Sequence, residues 1–262
     1  MLRALYTAAT GMDAQQLNID TVAHNLANIN TNGYKLRKAQ FQDLMYQDIR
    51  LAGAANTANT DIPVSLQVGL GTKPADVMNI FSQGVFEATN NWSDIVIQGQ
   101  GFFPIKQSDG QIAYTRNGSF HLNRDGYLVT SEGDLLDASI SIPPDQVGIT
   151  IGTDGTVSVQ RAGQTEAVPV GKIQLSLFQN PSGLRNLGKS LFMPTQASGE
   201  AITGTPGDNG LGTLLQGYVE QSNVSVVEEM VTMIVSQRAY EANSKVIRTA
   251  DEMFTQANNV VR

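Results

Sequence analysis

Residues 224–262 read VSVVEEMVTMIVSQRAYEANSKVIRTADEMFTQANNVVR. Neither Pro nor Gly interrupts the chain between Tyr218 and Arg262. Val235, Ala239, Ala242, Val246, Ala250, Met253, Ala257 and Val260 recur at steps of three and four, which predicts one apolar helical face. Val226, Met230, Met233, Tyr240, Ile247, Phe254 and Val261 keep the same rhythm, with polar gaps at Gln237, Ser244, Asp251 and Asn258. At about 1.5 Å per residue, a helix over 224–261 would be roughly 57 Å long, longer than a small domain is wide. Two apolar stripes on such a rod call for more than one neighbour.

The other end of the chain offers one. Leu2, Leu5, Ala9, Met12, Ile19, Ala23 and Leu26 fall on a heptad seam, with Gln16 in the missing slot. Between Met1 and Ile29 the only charged side chains are Arg3, Asp13 and Asp20. Such a helix lacks supporting ion pairs and is marginal alone in water, so its stability must come from packing. The helix is expected to stop at Asn30-Thr31-Asn32-Gly33, where Gly accepts a positive φ. Gln15, Gln16, Asn18, Asn25, Asn28 and Asn30 stand where a solvated face would carry Lys and Glu, and Gln237, Asn243, Gln256, Asn258 and Asn259 do the same near the C-terminus. Neutral amides can bond across subunits without the desolvation cost of buried ions. The two ends therefore read as adhesive helices that pair and then meet other copies.

Between them the period changes. After Phe41, Leu44, Met45 and Ile49, which suit a short helix or an extended segment, Leu51 to Gly71 is rich in Ala, Asn and Thr. That composition is too poor in large apolar groups for a core and predicts a long, non-globular arm. From Val77 onward short strands are expected at 93–97, 102–106, 112–115, 120–122, 127–130 and 172–178. Asp109-Gly110, Asp125-Gly126 and Asp154-Gly155 sit between alternating runs, as two-residue hairpin turns require. The fold expected is α+β with discontinuous domains. Residues 1–31 and 224–262 form a helical coiled-coil domain, 32–76 and 197–223 an extended, β-rich connecting arm layer, and 77–196 a central all-β domain.

Composition narrows the function. A formal charge of −7 and a pI near 4.8, with no basic patch interleaved with aromatics, argue against nucleic-acid binding. Residues after Arg3 form no apolar leader core, and no run of about 20 apolar residues could span a bilayer. Cys is absent, which removes disulfides and thiolate sites. Gly99-Gln100-Gly101 is followed by Phe102-Phe103-Pro104 rather than by a helix, so it reads as strand-turn-strand and not as a dinucleotide loop. Ser119, His121 and Asp125 lie along one predicted hairpin, with no nucleophile elbow. His24 reads as a polar helix position and Trp92 as a core or interface anchor. The carboxylates at Asp134 and Asp137 and at Glu228 and Glu229 lack an apolar setting that would split their pKa values for glycan cleavage. No catalytic, cofactor or metal site is expected. The rival readings are a periplasmic glycan-cutting protein and a β-sandwich binding module tethered by a coiled coil.

Three sets of residues carry a resemblance. Asn25-Leu26-Ala27-Asn28-Ile29-Asn30-Thr31-Asn32-Gly33-Tyr34-Lys35 resembles the N-terminal signature of the flagellar rod and hook family. Gly217-Tyr218-Val219-Glu220-Gln221-Ser222-Asn223-Val224, with Met233-Ile234 and the run Gln237-Arg238-Ala239-Tyr240-Glu241-Ala242-Asn243-Ser244-Lys245, is similar to its C-terminal one. Gly99 to Phe103, Tyr114 to Phe120 and Gly126 to Val129 resemble its shared β segment, with Ile97 and Pro104 as local departures. Length and the arm after Asp43-Leu44-Met45-Tyr46 are similar to the rod segment nearest the hook, other rod proteins and the hook being the alternatives. The resemblance implies a non-enzymatic axial protein, exported unfolded by a flagellar type III apparatus without a cleaved signal. Its copies would build a rigid hollow shaft across the periplasm. Implied partners are further copies, proximal rod proteins, the hook protein, the P-ring and L-ring bushings and the export apparatus. The implied self-assembly residues are Leu2, Leu5, Ala9, Met12, Ile19, Leu26, Asn28, Gly33 and Tyr34 at one end. At the other they are Asn223, Val224, Met230, Met233, Ile234, Gln237, Arg238, Tyr240, Asn243, Val246 and Ile247. Gln47, Asn56, Asn59 and Pro63 would stiffen the arm.

Overall fold

Two helices and a β-rich body make the architecture α+β. The computed structural model describes residues 2–50, 55–57, 60–61, 64–138, 140–161 and 166–260. Helix α1 spans Leu2–Ala27 and helix α2 spans Val226–Val260, 35 residues. At 1.5 Å per residue α2 is about 52 Å long. Glu228 and Glu229 in its first turn favour the positive end of the helix dipole. After α1 the chain turns through Asn28 to Tyr34, with Thr31 N donating to Asn28 O at 3.1 Å and Tyr34 N to Thr31 O at 3.2 Å. The helix thus ends before the expected stop at Asn30–Gly33, and Gly33, at φ +69°, lies in the turn six residues beyond its last residue.

The chain divides into two compact units. The first comprises Met1–Ala27, Arg37–Met78 and Ser225–Arg262. Besides the helices it holds the strand Arg37–Asp43 bonded to Thr72–Asn79, and an antiparallel ribbon of Tyr46–Arg50 with Leu66–Gly69. The segment around Phe41 to Ile49 is thus extended, not helical. Every side chain of Tyr46–Arg50 is exposed. A two-stranded ribbon with no buried face has little stability of its own in water. Its root is held: Leu44 N donates to Gly71 O at 2.9 Å, and Gly71, at φ +115°, lies so close to Thr10 of α1 that a Cβ there would come within 2.2 Å of the hydroxyl. Gln47 sits opposite Val68 in the ribbon, and Asn56 belongs to a short strand, Ala55–Thr57. Asn59 and Pro63 lie outside the described residues.

The second unit comprises Asn28–Leu36 and Asn79–Val224. Its largest sheet is antiparallel, ordered 121–122, 128–129, 135–136, 103–106, 112–115, 191–193 and 185–188. A three-stranded sheet (146–151, 156–161, 168–172) and three two-stranded pairs complete it. Residues 197–223 contribute three strands to those pairs: Ile202–Gly204 against Leu175–Leu177, Thr213–Gln216 against Ile95–Gln98, and Tyr218–Glu220 against Phe86–Ala88. Alternation along 102–105 decides two cores. Phe103 and Ile105 enter an aliphatic cluster with Ile95, Phe120, Val157 and Leu214, while Phe102 joins Tyr114, Phe178 and Phe192 in edge-to-face contacts. Trp92 packs half-buried against the aliphatic cluster.

Two local expectations are corrected. The run 172–178 is not one strand: Lys172 ends Val168–Lys172, and Ile173 breaks away to donate to Gly155 O at 2.8 Å before Leu175–Leu177 begins. The Asp-Gly turns are not two-residue turns either. That type needs positive φ at both central residues, and here only Gly110, Gly126 and Gly155 are positive. Each closes a longer turn, with Gln107 N bonded to Gln111 O, Asn123 N to Tyr127 O and Gly152 N to Thr156 O. Asp109 and Asp154 accept from the backbone two residues on, which holds them at ordinary negative φ.

Candidate assembly surface and buried polar knot

Within the first unit α1 and α2 run antiparallel, side by side, and three rungs set their register. Asn25 Nδ2 donates to Glu229 Oε2 at 2.9 Å, and Asn18 Nδ2 to Ser236 Oγ at 2.7 Å. A Cβ on Gly11 would lie 2.8 Å from Asn243 Nδ2. Seven residues back along α1 match seven forward along α2 at each rung. Ala8, Ala14, Val22, Ser236 and Ala250 are buried beside them, so the helices meet on small and polar side chains. Asn25 is tied further: its Oδ1 accepts from Arg37 N at 3.0 Å, and its Nδ2 donates to Arg37 O at 2.8 Å.

The buried line is one residue, about 100°, away from the seam read in the sequence. Leu2, Gln16 and Ala23 are exposed, while Leu5, Ala9, Met12, Ile19 and Leu26 are half-buried. Large apolar spacing marked a second face, because the face that pairs inside the chain is built from residues too small or too polar to register. Asn18, Asn25 and Asn243 each meet a partner on the other helix of the same chain. On α2, Met233, Asn243 and Ile247 turn partly inward. Met230, Ile234, Gln237, Arg238, Tyr240 and Val246 remain exposed. The outward stripe is strongly apolar: Val227 is 72% exposed, Val235 62%, Val231 56% and Ile234 55%.

The second unit contains a knot that sequence reasoning missed. Glu220, fully buried, accepts from Lys35 Nζ at 2.6 Å, from Arg116 Nε at 3.1 Å and from Gly84 N at 2.9 Å. Lys35 also donates to Ser82 O at 2.7 Å, and Arg116 to the carbonyls of Gly99 and Gly101, both at 2.8 Å. Gly33 N donates to Glu220 O at 2.8 Å, and a Cβ on Gly33 would lie 2.5 Å from Asn117 N. Asn223 accepts from Leu36 N at 2.7 Å and donates to Ile80 O and Ser82 Oγ. Gly33 and Asn223 are therefore internal staples here. Val224 is buried, and Asn28 and Tyr34 are half-buried. Lys35, Arg116 and Glu220 all lay inside the quoted signatures, and the signal available was ionic side chains amid Gly and apolar neighbours.

Burial lowers the pKa of Lys35 below 10.5, Glu220 opposes that shift, and Arg116 adds to it. The unfolded chain therefore binds more protons than the folded one between the depressed value and 10.5. In that window the unfolding free energy rises with pH. Lys35→Arg, which does not titrate there, removes the contribution. Denaturation curves at stepped pH should show wild type gaining on Lys35→Arg as pH climbs towards 10.5, and parallel curves would exclude a depressed lysine.

Known proteins match the same parts of the chain. The family described as "Flagella basal body rod protein" matches residues 5–35, "Flagellar hook protein FlgE/F/G D1 domain" residues 96–159, and "Flagellar basal body rod FlgEFG protein C-terminal" residues 215–260. The flagellar basal-body rod protein FlgG of Borreliella burgdorferi is 49% identical over 264 residues, covering 100% of both chains. That of Buchnera aphidicola subsp. Schizaphis graminum is 49% identical over 254 residues, 97% of this chain and 98% of the relative. The chain belongs to the flagellar basal-body rod protein family. The family is structural, not enzymatic. The flagellar hook-basal body complex protein FlhP of Bacillus subtilis is also similar, at 30% identity over 274 residues, 99% of this chain and 100% of the relative. Each matched segment of the rod family supplies one member of the knot: Lys35, Arg116 and Glu220.

Proposed function

We propose that this rod protein is the subunit of the distal rod, a shaft whose copies stack helically around a lumen and pass torque to the hook. The observation that supports this most is the apolar stripe on α2, left exposed although α1 and α2 are already locked in register. Monomeric proteins rarely leave so continuous a patch uncovered, and a stripe repeated on identical copies is suited to helical stacking. In this reading residues 1–31 and 224–262 pair as a coiled coil and form the core tube. Residues 32–76 form the connecting arm layer, and 77–196, together with the strands that 197–223 adds to it, the outer β domain. The exposed ribbon around Gln47, with Asn56, Asn59 and Pro63, braces neighbouring copies and stiffens the shaft. The P-ring and L-ring bushings, the proximal rod proteins and the hook protein are its further partners. The chain reaches the periplasm through the type III export apparatus, and its lack of Cys leaves no disulfide to obstruct passage.

Purified protein added to rod tips or preformed seeds should extend them as straight tubes in electron micrographs. Excising residues 47–71 should leave elongation possible but yield visibly curved or flexible tubes. A full-length chain that stays a solitary globule on every seed would end this reading. Equal straightness with and without the arm would end the stiffening role alone.

A further inference from the structure

Three Asn-Gly pairs occur in the chain: Asn32-Gly33, Asn117-Gly118 and Asn209-Gly210. Such a pair can react with itself. The Gly peptide nitrogen loses its proton and attacks the Asn side-chain carbonyl carbon. The new N–C bond closes a succinimide, and the amide nitrogen leaves as ammonia. Water then opens either carbonyl of the ring to give aspartate or isoaspartate. The net change is addition of one water and loss of one ammonia. Reaction needs a Gly N–H free of hydrogen bonds, contact with water, and backbone able to swing the side chain onto that nitrogen.

The fold withholds those conditions at two of the three. Gly33 N is bonded to Glu220 O at 2.8 Å, and there is no room beside it, because a Cβ would lie 2.5 Å from Asn117 N. Asn117 is pinned at both ends, its N donating to Thr115 Oγ1 and its Oδ1 accepting from Ser119 N, each at 3.0 Å. The neighbouring Gly118 is pressed so tightly that a Cβ would fall 1.6 Å from Ile95 O. The third pair is exposed and loosely held. Asn209 and Gly210 are both exposed, a Cβ on Gly210 would meet nothing within 4 Å, and Gly210 N has no acceptor among the described residues. They are the central residues of a turn with φ +51° and +81°, closed by Leu211 N donating to Asp208 O at 2.9 Å. Opening that one bond frees the tip.

We propose that Asn209 is a self-modification site of this chain, converting to aspartate and isoaspartate while Asn32 and Asn117 are protected by the fold. Aspartate makes the formal charge of −7 one unit more negative. Isoaspartate additionally lengthens the backbone of a turn whose base is fixed by Gly212 N to Gln100 O at 2.7 Å.

The test compares full-length folded protein with the same protein in concentrated urea, both aged at mildly alkaline pH. Peptides are then scored for a gain of about 1 Da. Expected in the folded chain is modification of Asn209 faster than of Asn32 and Asn117 by about tenfold or more, as free-energy differences between local and deeper opening require. In urea the three should converge. Gly210→Ala should slow the reaction at Asn209, and Asn209→Gln should remove it. A folded chain in which Asn209 reacts no faster than the other two would overturn the assignment. So would a preference for Asn209 that persists unchanged in urea.

Discussion

Glu220→Gln is expected to lower the unfolding free energy by about 3–5 kcal/mol, the range for removing one partner of a buried ion pair. Glutamine preserves the shape and can still accept from Gly84 N. What disappears is, among the described residues, the one carboxylate paired with Lys35 and Arg116, which lie at 1% and 5% side-chain exposure. Two cations would then stand desolvated with carbonyls alone for company. Lys35→Met is the informative contrast. It leaves Arg116 and Glu220 as a neutral pair, and the Ser82 carbonyl keeps a donor in Asn223 Nδ2 at 3.2 Å, so the loss should not exceed about 1–3 kcal/mol. The acid should therefore be dearer to lose than the lysine. Trp92, the single tryptophan, packs against the core of the same unit and reports its unfolding in a urea titration. Equal losses in the two variants, or a larger one for Lys35→Met, would show that shape and hydrogen bonding hold the knot and charge does not.

That knot marks a boundary between what local pattern carries and what it cannot. Lys35 and Glu220 are separated by 185 residues, and Arg116 and Glu220 by 104. Nothing in the neighbourhood of any of them announces the others. Both helices and most strands were legible because each rests on a period of a few residues. Hairpin turns were legible in place but not in type. Asp-Gly is compatible with two backbone solutions, and the carboxylate bond from Asp109 to Gln111 N selects the one with negative φ at Asp. The helical seam was legible as a face, one residue away from the line on which the two helices pair inside the chain. Leu, Met and Ile dominate any hydrophobic count, yet Gly11, Asn18, Asn25, Ser236 and Asn243 are what lets the helices approach and fixes their register. An apolar stripe tells that something covers it, and does not say whether the cover is this chain or the next.

Those two faces should separate cleanly under mutation. Ile234→Asp combined with Val235→Asp changes side chains that are 55% and 62% exposed, so the unfolding free energy of the isolated chain should stay within about 0.5 kcal/mol of wild type. Growth on seeds should stop altogether. Stacking would bury two carboxylates per copy in an apolar contact with no partner, at a cost of several kcal/mol each, repeated for every subunit added. Asn25→Leu makes the opposite case. It adds apolar surface but strands Arg37 N and Arg37 O, each worth about 1–3 kcal/mol when left unbonded, and removes the rung to Glu229. That variant should lose stability and helical circular dichroism as an isolated chain before any copy is added. Assembly that survives the paired aspartates would place the stripe outside the contact between copies. Loss of helix in the isolated aspartate variant would place it inside the monomer's own packing, and either outcome would dismantle the division into an inward face for pairing and an outward one for stacking.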